Sequence, residues 1–210
     1  TSPNLREAIF DVIAPYDCLE CGTEGLLVCE HCWAHLFSEP PISAPSPGLG
    51  RCVVTTSYQG LAKALVHCMK VDAQRQACRL IARAMHQSAP RLSLAVCITS
   101  VPTAPARIRE RGFDHGALIA REFARLRGLP YRPLLIRRGR AKQAGASRAQ
   151  RAVQLKGAYQ SNTKTAIKGQ HILVIDDVTT TGATLVEVAS VLKSAGAGQV
   201  DALVFAQTIQ

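Results

Sequence analysis

The most regular pattern of apolar positions lies in residues 172–192, where a continuous run gives way to helical spacing. Residues 172–175 are four consecutive aliphatic residues, three of them β-branched, which is typical of a strand buried on both faces of a parallel sheet. We expect the two acids that follow to end this strand. From Leu185 onward, apolar residues recur three, four and seven positions apart and predict a helix that ends near Gly196.

Similar patterns recur along the rest of the chain and predict strands that alternate with helices. The predicted strands are residues 51–58, 92–101 and 199–207, and the predicted helices are residues 5–14, 61–69, 77–85 and 118–126. Glycine or proline follows several of these segments, as expected at the ends of elements. The alternation predicts an α/β fold in which a parallel sheet is flanked by helices.

The composition favours one ordered domain with a small appendage. The chain has 210 residues, of which 47% are hydrophobic and 19% are charged, and this length suits a single α/β domain. Residues 38–50 are rich in Pro, Ser and Gly and predict an irregular linker. We therefore predict an N-terminal helix and cysteine module at residues 1–37, a linker at 38–50 and the main domain at 51–210.

No part of the sequence predicts insertion into a membrane. The sequence contains no window of about eighteen uninterrupted apolar residues, and no charged leader followed by an apolar core opens the chain. We therefore expect a cytoplasmic protein.

Basic side chains are concentrated in one segment of the chain. The formal net charge of the whole chain is +10, and residues 101–160 alone hold fourteen Lys or Arg against three Asp or Glu, a net charge of +11. A localised excess of this kind favours a polyanionic ligand such as pyrophosphate or nucleic acid.

Four of the eight cysteines form two C-x-x-C pairs near the N-terminus, and they are Cys18, Cys21, Cys29 and Cys32. Four thiolates in two close pairs can surround one tetrahedral Zn²⁺, which would hold together a segment too small for its own core. Disulfides, redox chemistry and unpaired thiols are the alternatives. His31 and His35 are candidate substitute ligands, although a solvent-facing role suits them better. Because four thiolates leave no open position on the metal, we predict a structural zinc.

The loop that joins the strand to the helix at residues 176–184 carries candidate chemistry. Backbone N–H groups and hydroxyls of residues 178–184 can surround a phosphate at the positive helix N-terminus, and Gly182 allows close backbone approach. Asp176 and Asp177 would repel that phosphate, so we expect them to contact neutral hydroxyls or a cation. A sugar phosphate satisfies both conditions. The alternative is an ordinary strand-to-helix turn with acids at the strand end.

A second candidate segment follows the predicted strand at residues 92–101. It begins with a turn and continues into a basic stretch, and its candidate ligand contacts are Pro102, Thr103, Arg107, Arg109 and Arg111. Ligands of open α/β sheets bind beyond the carboxyl ends of the strands. This segment and the loop at residues 176–184 are therefore expected to share one crevice.

The sequence at residues 172–184 resembles the signature for 5-phosphoribosyl-1-pyrophosphate (PRPP) of type I phosphoribosyltransferases, an apolar strand followed by two acids, Thr-Thr-Gly and Thr. The resemblance implies that Asp176 and Asp177 are the catalytic acids, which hold the ribose hydroxyls. It also implies a 5′-phosphate site formed by Thr179, Thr180, Thr181, Gly182, Ala183 and Thr184. PRPP would bind together with Mg²⁺, and the basic segment would receive the pyrophosphate.

Over nearly the whole chain, the order of the motifs is similar to that of the ComF/GntX family. These motifs are the paired cysteines, Tyr58-x-Gly60, Lys70, Val101-Pro102, Arg111-Gly112-Phe113, Gln143, Arg148, Arg151 and Gly157-Ala158-Tyr159. The chain departs from the family pattern at Asp114 and His115, where Asn and Gln are usual, and at Gln154, where Asn is usual. Family contacts through those three side chains are not carried over.

This resemblance implies a type I phosphoribosyltransferase-like fold with a small N-terminal zinc-binding module. It implies that Lys70 joins the basic pyrophosphate segment and that Gln143, Arg148 and Arg151 contact the ligand from a flexible loop. ComF relatives are associated with DNA uptake in natural competence, so proteins of that machinery are expected partners. Two functions stay open: a phosphoribosyltransferase with an unassigned acceptor, and a non-catalytic competence factor that binds single-stranded DNA on the same fold.

Overall fold

The structure is a computed structural model that describes residues 16–43, 48–93, 96–138, 157–162 and 167–208. Within these ranges the strands are β1 (Tyr16–Asp17), β2 (Glu24–Gly25), β3 (Ile42–Ser43), β4 (Cys52–Ser57), β5 (Val96–Ser100), β6 (Leu135–Arg137), β7 (Tyr159–Ser161), β8 (His171–Thr179) and β9 (Gln199–Gln207). The helices are α1 (Glu30–His35), α2 (Gly60–Lys70), α3 (Arg75–Ser88), α4 (Pro105–Arg111), α5 (His115–Arg127) and α6 (Ala183–Ser194). The predicted helix at residues 5–14 and the predicted loop contacts Gln143, Arg148 and Arg151 lie outside the described residues.

A five-stranded sheet in the order β3-β4-β9-β8-β5 forms the centre of the described chain. Strands β4, β9, β8 and β5 are parallel to their neighbours, and β3 pairs antiparallel with β4 at one side of the sheet. The predicted parallel sheet flanked by helices is therefore confirmed. Because the four parallel strands point the same way, their carboxyl ends meet along one edge, which we call the carboxyl edge.

Two hydrophobic cores lie on the two faces of this sheet. Leu173 and Ile175 of β8 belong to the core that contains residues of α2, α3 and α5, and Ile172 and Val174 belong to the core that contains residues of α6. All four side chains are at most 4% exposed. Burial on both faces explains why this strand is a continuous apolar run in the sequence.

The four paired cysteines lie in a small module formed by β1, β2 and α1, which we call the cysteine module. Its buried residues Leu27, Val28 and Leu36 belong to the same core as residues of α2 and α3. The guanidinium of Arg83 on α3 lies 5.0 Å from the centre of the Trp33 ring on α1, a cation–π contact. The module is therefore packed onto the main core, which is what a segment of this size requires.

The predicted irregular linker at residues 38–50 includes a short piece of the sheet. Ile42 and Ser43 form β3 and pair with Val54 and Val53 of β4. The expectation of an entirely irregular linker is therefore wrong for these two residues. The backbone donors and acceptors of an edge strand favour pairing with any extended segment that runs beside it.

Strand β8 is longer than its apolar run predicts. It continues through both acids to Thr179, because β9 is equally long and pairs with it as far as Gln207. Asp176 and Asp177 therefore lie inside the strand and do not end it. Backbone pairing with β9 outweighs the low strand propensity of aspartate at these positions.

The basic stretch after β5 forms the helix α4 and is not a loop. Pro105 lies in the first turn of α4, where its missing N–H costs no hydrogen bond, and Gly112 ends the helix with φ 78°. Residues two positions apart on a helix point to nearly opposite sides. Arg109 therefore points away from the side shared by Arg107 and Arg111.

Among the described residues, no helix is long and apolar enough to cross a membrane.

Candidate functional site

Two adjacent acids lie at the carboxyl edge of the sheet, near the end of β8. Successive strand residues point to opposite faces, and Asp177 extends toward Lys70 of α2 and His115 of α5. Asp177 N–H donates to Asp176 Oδ1 at 2.9 Å, and Val178 N–H donates to Asp177 Oδ1 at 2.8 Å. Each carboxyl group is thus oriented by the backbone that follows it.

Asp177 forms an ion pair with a lysine from another helix. Lys70 Nζ lies 2.7 Å from Asp177 Oδ2, and Asp177 is only 7% exposed. His115 Nε2, in the first turn of α5, lies 3.5 Å from the same oxygen. Three elements that are far apart in the sequence therefore meet at one carboxylate.

Arg111 connects the lysine and the histidine that contact Asp177. Arg111 Nε donates to the backbone carbonyl of Lys70 at 2.7 Å, and its Nη1 lies 3.0 Å from His115 Nδ1. A guanidinium group only donates hydrogen bonds, so His115 Nδ1 must accept. The imidazole proton is then on Nε2, toward Asp177. We call Lys70, Arg111, His115 and Asp177 the Asp177 cluster.

His115, Asp176 and Asp177 have shifted pKa values. Burial lowers the pKa of His115 by more than Asp177 raises it, which keeps the imidazole neutral at neutral pH. Burial and the neighbouring Asp177 carboxylate raise the pKa of Asp176 well above its usual range. Burial would also raise the pKa of Asp177, but Lys70 and His115 outweigh it and bring the pKa below its usual value. Asp177 is therefore the ionised acid, and Asp176 is the acid that more readily holds a proton.

The turn after β8 is the predicted phosphate site, which we call the phosphate cradle. Gly182 is the N-cap of α6 with φ 73° and ψ −1°, a left-handed conformation that favours glycine, and it makes no side-chain capping hydrogen bond. Thr180 and Thr181 are exposed beside it, whereas Thr179 is buried at the end of the strand. Thr181 Oγ1 accepts a hydrogen bond from Ala183 N–H at 3.4 Å. This helix N-terminus can bind an anion.

The basic segment contributes to the site only in part. Arg111 belongs to the Asp177 cluster, whereas Arg107 pairs with Glu110 at 2.7 Å between two exposed side chains. Arg109 is also exposed. Of the predicted cationic contacts, the structure therefore brings Lys70 and Arg111 to the acids and leaves Arg107 and Arg109 on the surface of α4.

Asp114 ties the start of the basic segment to α5. Its Oδ1 accepts hydrogen bonds from Ala117 N–H at 3.0 Å, as an N-cap, and from the Thr103 hydroxyl at 2.7 Å. Thr103, which follows Pro102 beyond β5, is thereby held against the first turn of α5. Asp114, which stands where the family pattern has asparagine, thus fixes the first turn of the helix that carries His115.

His115 is a member of the site that the sequence did not reveal as one. The available signal was its departure from the family pattern, in which glutamine is usual at this position. The sequence does not show in which direction the side chain of a histidine directly after an N-cap points. Only the packing of α5 against the sheet, with His115 8% exposed, places it beside Asp177.

The four paired cysteines converge in the cysteine module. The ligand atoms of Cys18, Cys21, Cys29 and Cys32 all lie within 4.8 Å of one another, and none of the chain's eight cysteines is in a disulfide. Cys29 N–H lies 3.4 Å from Cys18 Sγ, and Cys32 N–H lies 3.5 Å from Cys29 Sγ. Backbone donors of this kind stabilise thiolates. The number, chemistry and spacing of these sulfurs fit a tetrahedral metal ion.

Comparison with known proteins identifies the sheet domain and its relatives. Residues 108–210 match the family model described as phosphoribosyl transferase domain. The chain is similar to DNA utilization protein YhgH of Salmonella typhimurium, with 29% identity over 187 residues that cover 80% of this chain and 82% of the relative. It is also similar to competence protein F of Haemophilus influenzae, with 26% identity over 195 residues that cover 89% of this chain and 82% of the relative.

Two solved structures align with part of this chain. One is described as the allosteric regulatory enzyme of purine biosynthesis, with a TM-score of 0.45, 19% identity and coverage of 62% of this chain and 25% of that chain. Another is the glutamine PRPP amidotransferase from B. subtilis, with a TM-score of 0.44, 21% identity and coverage of 62% and 26%. The chain therefore spans about a quarter of the length of either enzyme. Residues 108–210 of this chain therefore match the phosphoribosyl transferase domain model, and most of the chain is similar to proteins named for competence and DNA utilization.

Proposed function

We propose that this chain binds Mg²⁺–PRPP at the carboxyl edge of its sheet, transfers the phosphoribosyl group to an acceptor, and serves DNA uptake or utilisation in the cytoplasm. One observation carries the proposal. Asp176 and Asp177 lie at the end of β8, directly before the glycine-capped N-terminus of α6, in the order of the PRPP signature. The names of the relatives, competence protein F and DNA utilization protein, support the role in DNA uptake and protein partners from that machinery.

Each part of the site has a role in this proposal. The N-terminus of α6, with the hydroxyls of Thr180 and Thr181, would bind the 5′-phosphate. Asp177 would accept hydrogen bonds from the ribose hydroxyls once Lys70 leaves the carboxylate, and Asp176 would accept them from the other side. Lys70 and Arg111 would then stabilise the charge that develops on the departing pyrophosphate. Bound Mg²⁺ would supply further neutralisation of that charge.

The predicted flexible loop remains part of the proposal, although Gln143, Arg148 and Arg151 lie outside the described residues. The positions on either side of the interval support it. Arg137 and Tyr159 pair in the antiparallel sheet of β6 and β7, and Gly157 N–H donates to Glu187 Oε1 of α6 at 2.8 Å. The interval therefore begins and ends in a hairpin attached to the helix that would bind the 5′-phosphate.

The Gly182→Val variant is expected to lose PRPP binding. A β-branched side chain would strain the positive φ of 73° and would obstruct the approach of a phosphate to the backbone. Isothermal titration calorimetry with PRPP and Mg²⁺ measures the loss.

Gly169→Val is the matched control for Gly182→Val. Gly169 has nearly the same φ, 71°, with open space around its Cβ position, and it lies before β8 at the opposite edge of the sheet. Both variants therefore carry a similar backbone strain, but only the Gly182 variant should lose PRPP. If the wild-type protein does not bind PRPP at millimolar concentration, the proposed function is wrong.

We propose that the metal held by the cysteine module is zinc and that its role is structural. Four thiolates satisfy the tetrahedral preference of Zn²⁺ and leave no position for a substrate. We expect Cys18→Ser to release the metal and to lower the melting temperature, because metal binding contributes to folding in modules of this size. Metal analysis by mass spectrometry and thermal denaturation measure both effects. Cys97→Ser, at a buried cysteine of β5 outside the module, should leave one zinc per chain.

The alternative function, binding of single-stranded DNA, is supported by the net charge of +11 in residues 101–160. The structure gives little support to stacking of DNA bases on the aromatic rings of this segment. Each aromatic residue of that segment, namely Phe113, Phe123, Tyr131 and Tyr159, already has an arginine guanidinium 5.2–5.6 Å from its ring centre. DNA binding through this surface would therefore be electrostatic and would weaken with salt, by about 0.7 in the log–log slope for each phosphate contacted.

A further inference from the structure

A cavity of about 580 Å³ lies between the cysteine module and the carboxyl edge of the sheet. Its floor is apolar and includes the buried side chains of Leu36 and Leu61. Its rim is polar, with Glu20, His31, His35 and Glu39 from the module and Ser57 and Gln59 from the sheet domain, and the metal-site residues Cys21 and Cys32 also line it. An apolar floor with a polar rim suits a flat heterocycle that hydrogen-bonds at its edges. The proposed contacts to PRPP involve none of these residues.

The cavity is close to the proposed PRPP site. Ser57 of β4 and Thr179 of β8 both pair with Gln207 of β9, so the three residues lie at the same level of the sheet. Ser57 lines the cavity, and Thr179 begins the phosphate cradle. Two strand spacings separate them, about 9.5 Å. A ribose 5-phosphate bound at the cradle would lie within reach of a ligand in the cavity.

The charges around the cavity are opposite in sign to those of the whole chain. The described residues that line it include two glutamates and no lysine or arginine, although the chain carries a net charge of +10. The N-terminus of α2 is the feature of its wall that would attract an anion. It already faces a carboxylate, because Glu20 Oε1 would lie 3.3 Å from a Cβ added at Gly60, the first residue of the helix. A ligand with its own carboxylate would therefore be repelled.

We propose that this cavity binds the acceptor of the phosphoribosyl group and that the acceptor is a neutral or cationic nitrogen heterocycle, not a carboxylated one. This inference rests on the proposed function. A ring nitrogen would use its lone pair to form the bond to ribose C1, and the bond from C1 to the pyrophosphate oxygen would break with its electron pair on pyrophosphate. The N–H proton of the heterocycle would leave to water.

The experiment measures pyrophosphate release from PRPP and Mg²⁺ with two panels of probes. The first contains the neutral bases adenine, hypoxanthine and cytosine, and the second contains the carboxylated heterocycles orotate, nicotinate and quinolinate. We expect release with at least one neutral base and none with the carboxylated panel. Saturation-transfer NMR of the same probes with PRPP present reports binding where no turnover occurs. Binding of a neutral base supports the inference even without turnover.

A charge reversal on the rim tests whether the cavity is the site. Glu39→Lys replaces a repelling charge with an attracting one, so it should strengthen binding of a carboxylated probe by roughly tenfold, whereas Glu24→Lys, at an exposed position of the same module that does not line the cavity, should not change it. PRPP affinity, measured by calorimetry, should be the same in both variants. Equal affinity for the carboxylated probe in the two variants, preference of the wild-type protein for carboxylated probes, or no neutral probe bound would each overturn the inference while PRPP binding stands. If the wild-type protein does not bind PRPP, the proposed function is overturned as well.

Discussion

The Asp177→Asn variant is expected to lose both stability and PRPP affinity. The substitution removes the partner of Lys70 and leaves an ammonium group beside a buried neutral amide. Breaking a fully buried ion pair costs about 3–5 kcal/mol, and we expect roughly 2 kcal/mol here because the Lys70 side chain is 30% exposed. PRPP affinity should fall by roughly two orders of magnitude, because charge-assisted hydrogen bonds to the ribose hydroxyls are worth about 1.5–3 kcal/mol each.

Urea denaturation and calorimetry with PRPP measure these two losses. Asp72→Asn is the matched control, since the Asp72 side chain is 52% exposed and lies 3.8 Å from His67. It should change neither quantity appreciably. An Asp177→Asn protein with the urea midpoint of the wild type would contradict the stabilising role of the Asp177 cluster.

The same cluster predicts how stability depends on pH. The pKa of Asp177 is lower in the folded state than in the unfolded state, so its contribution is complete above about pH 4 and is lost as the pH falls through the folded pKa. The pKa of His115 is also lowered on folding. The unfolded chain therefore takes up that proton first, and stability begins to decline below about pH 6.5.

The Asp176→Asn variant is expected to gain stability while it loses PRPP affinity. Burial and the Asp177 carboxylate raise the pKa of Asp176, so at neutral pH its carboxyl group costs free energy of folding that an amide does not. The raised pKa means that this cost is present above about pH 4 and disappears as the pH falls below the unfolded value. The gain in urea midpoint should therefore be present near neutral pH and absent at low pH.

The Asn substitutions at Asp176 and Asp177 are thus expected to change stability in opposite directions and to lower PRPP affinity in both cases. Calorimetry with PRPP tests the second part, with Asp72→Asn again as the control. A destabilised Asp176→Asn protein at neutral pH would show that Asp176 makes a favourable contact in the folded state. If Asp177→Asn lowers stability and Asp176→Asn raises it, the unliganded site keeps Asp176 at a cost in folding free energy. This would be a trade-off between stability and activity.

The local parts of the site could be predicted from the sequence because their determinants are adjacent in the chain. The apolar run, the two acids and Gly182 specify a strand, its polar end and a helix N-terminus within eleven positions. The paired cysteines are likewise local. For such segments, burial, backbone conformation and metal geometry follow from residue type and spacing.

The contacts between segments could not be predicted in the same way. Lys70, Arg111 and His115 come from α2, α4 and α5, and they meet at Asp177 only because those helices pack at one edge of the sheet. The sequence placed Lys70 and Arg111 near pyrophosphate by resemblance, but it did not show that Lys70 pairs with an acid. The charge of Arg107 carries no information about its partner Glu110, because a helix of seven residues is too short to show its period in the sequence.

The position of β9 has a consequence for how the chain folds during synthesis. It is the last strand of the described chain, yet it lies in the middle of the sheet, between β4 and β8. Arg51 N–H donates to Asp201 Oδ1 across 150 positions of sequence. A nascent chain that still lacks β9 would therefore hold two separate half-sheets with unpaired inner edges, which invite aggregation. Closure of the sheet must wait for the ribosome to release this strand, and contacts of such long sequence separation make the final step slow.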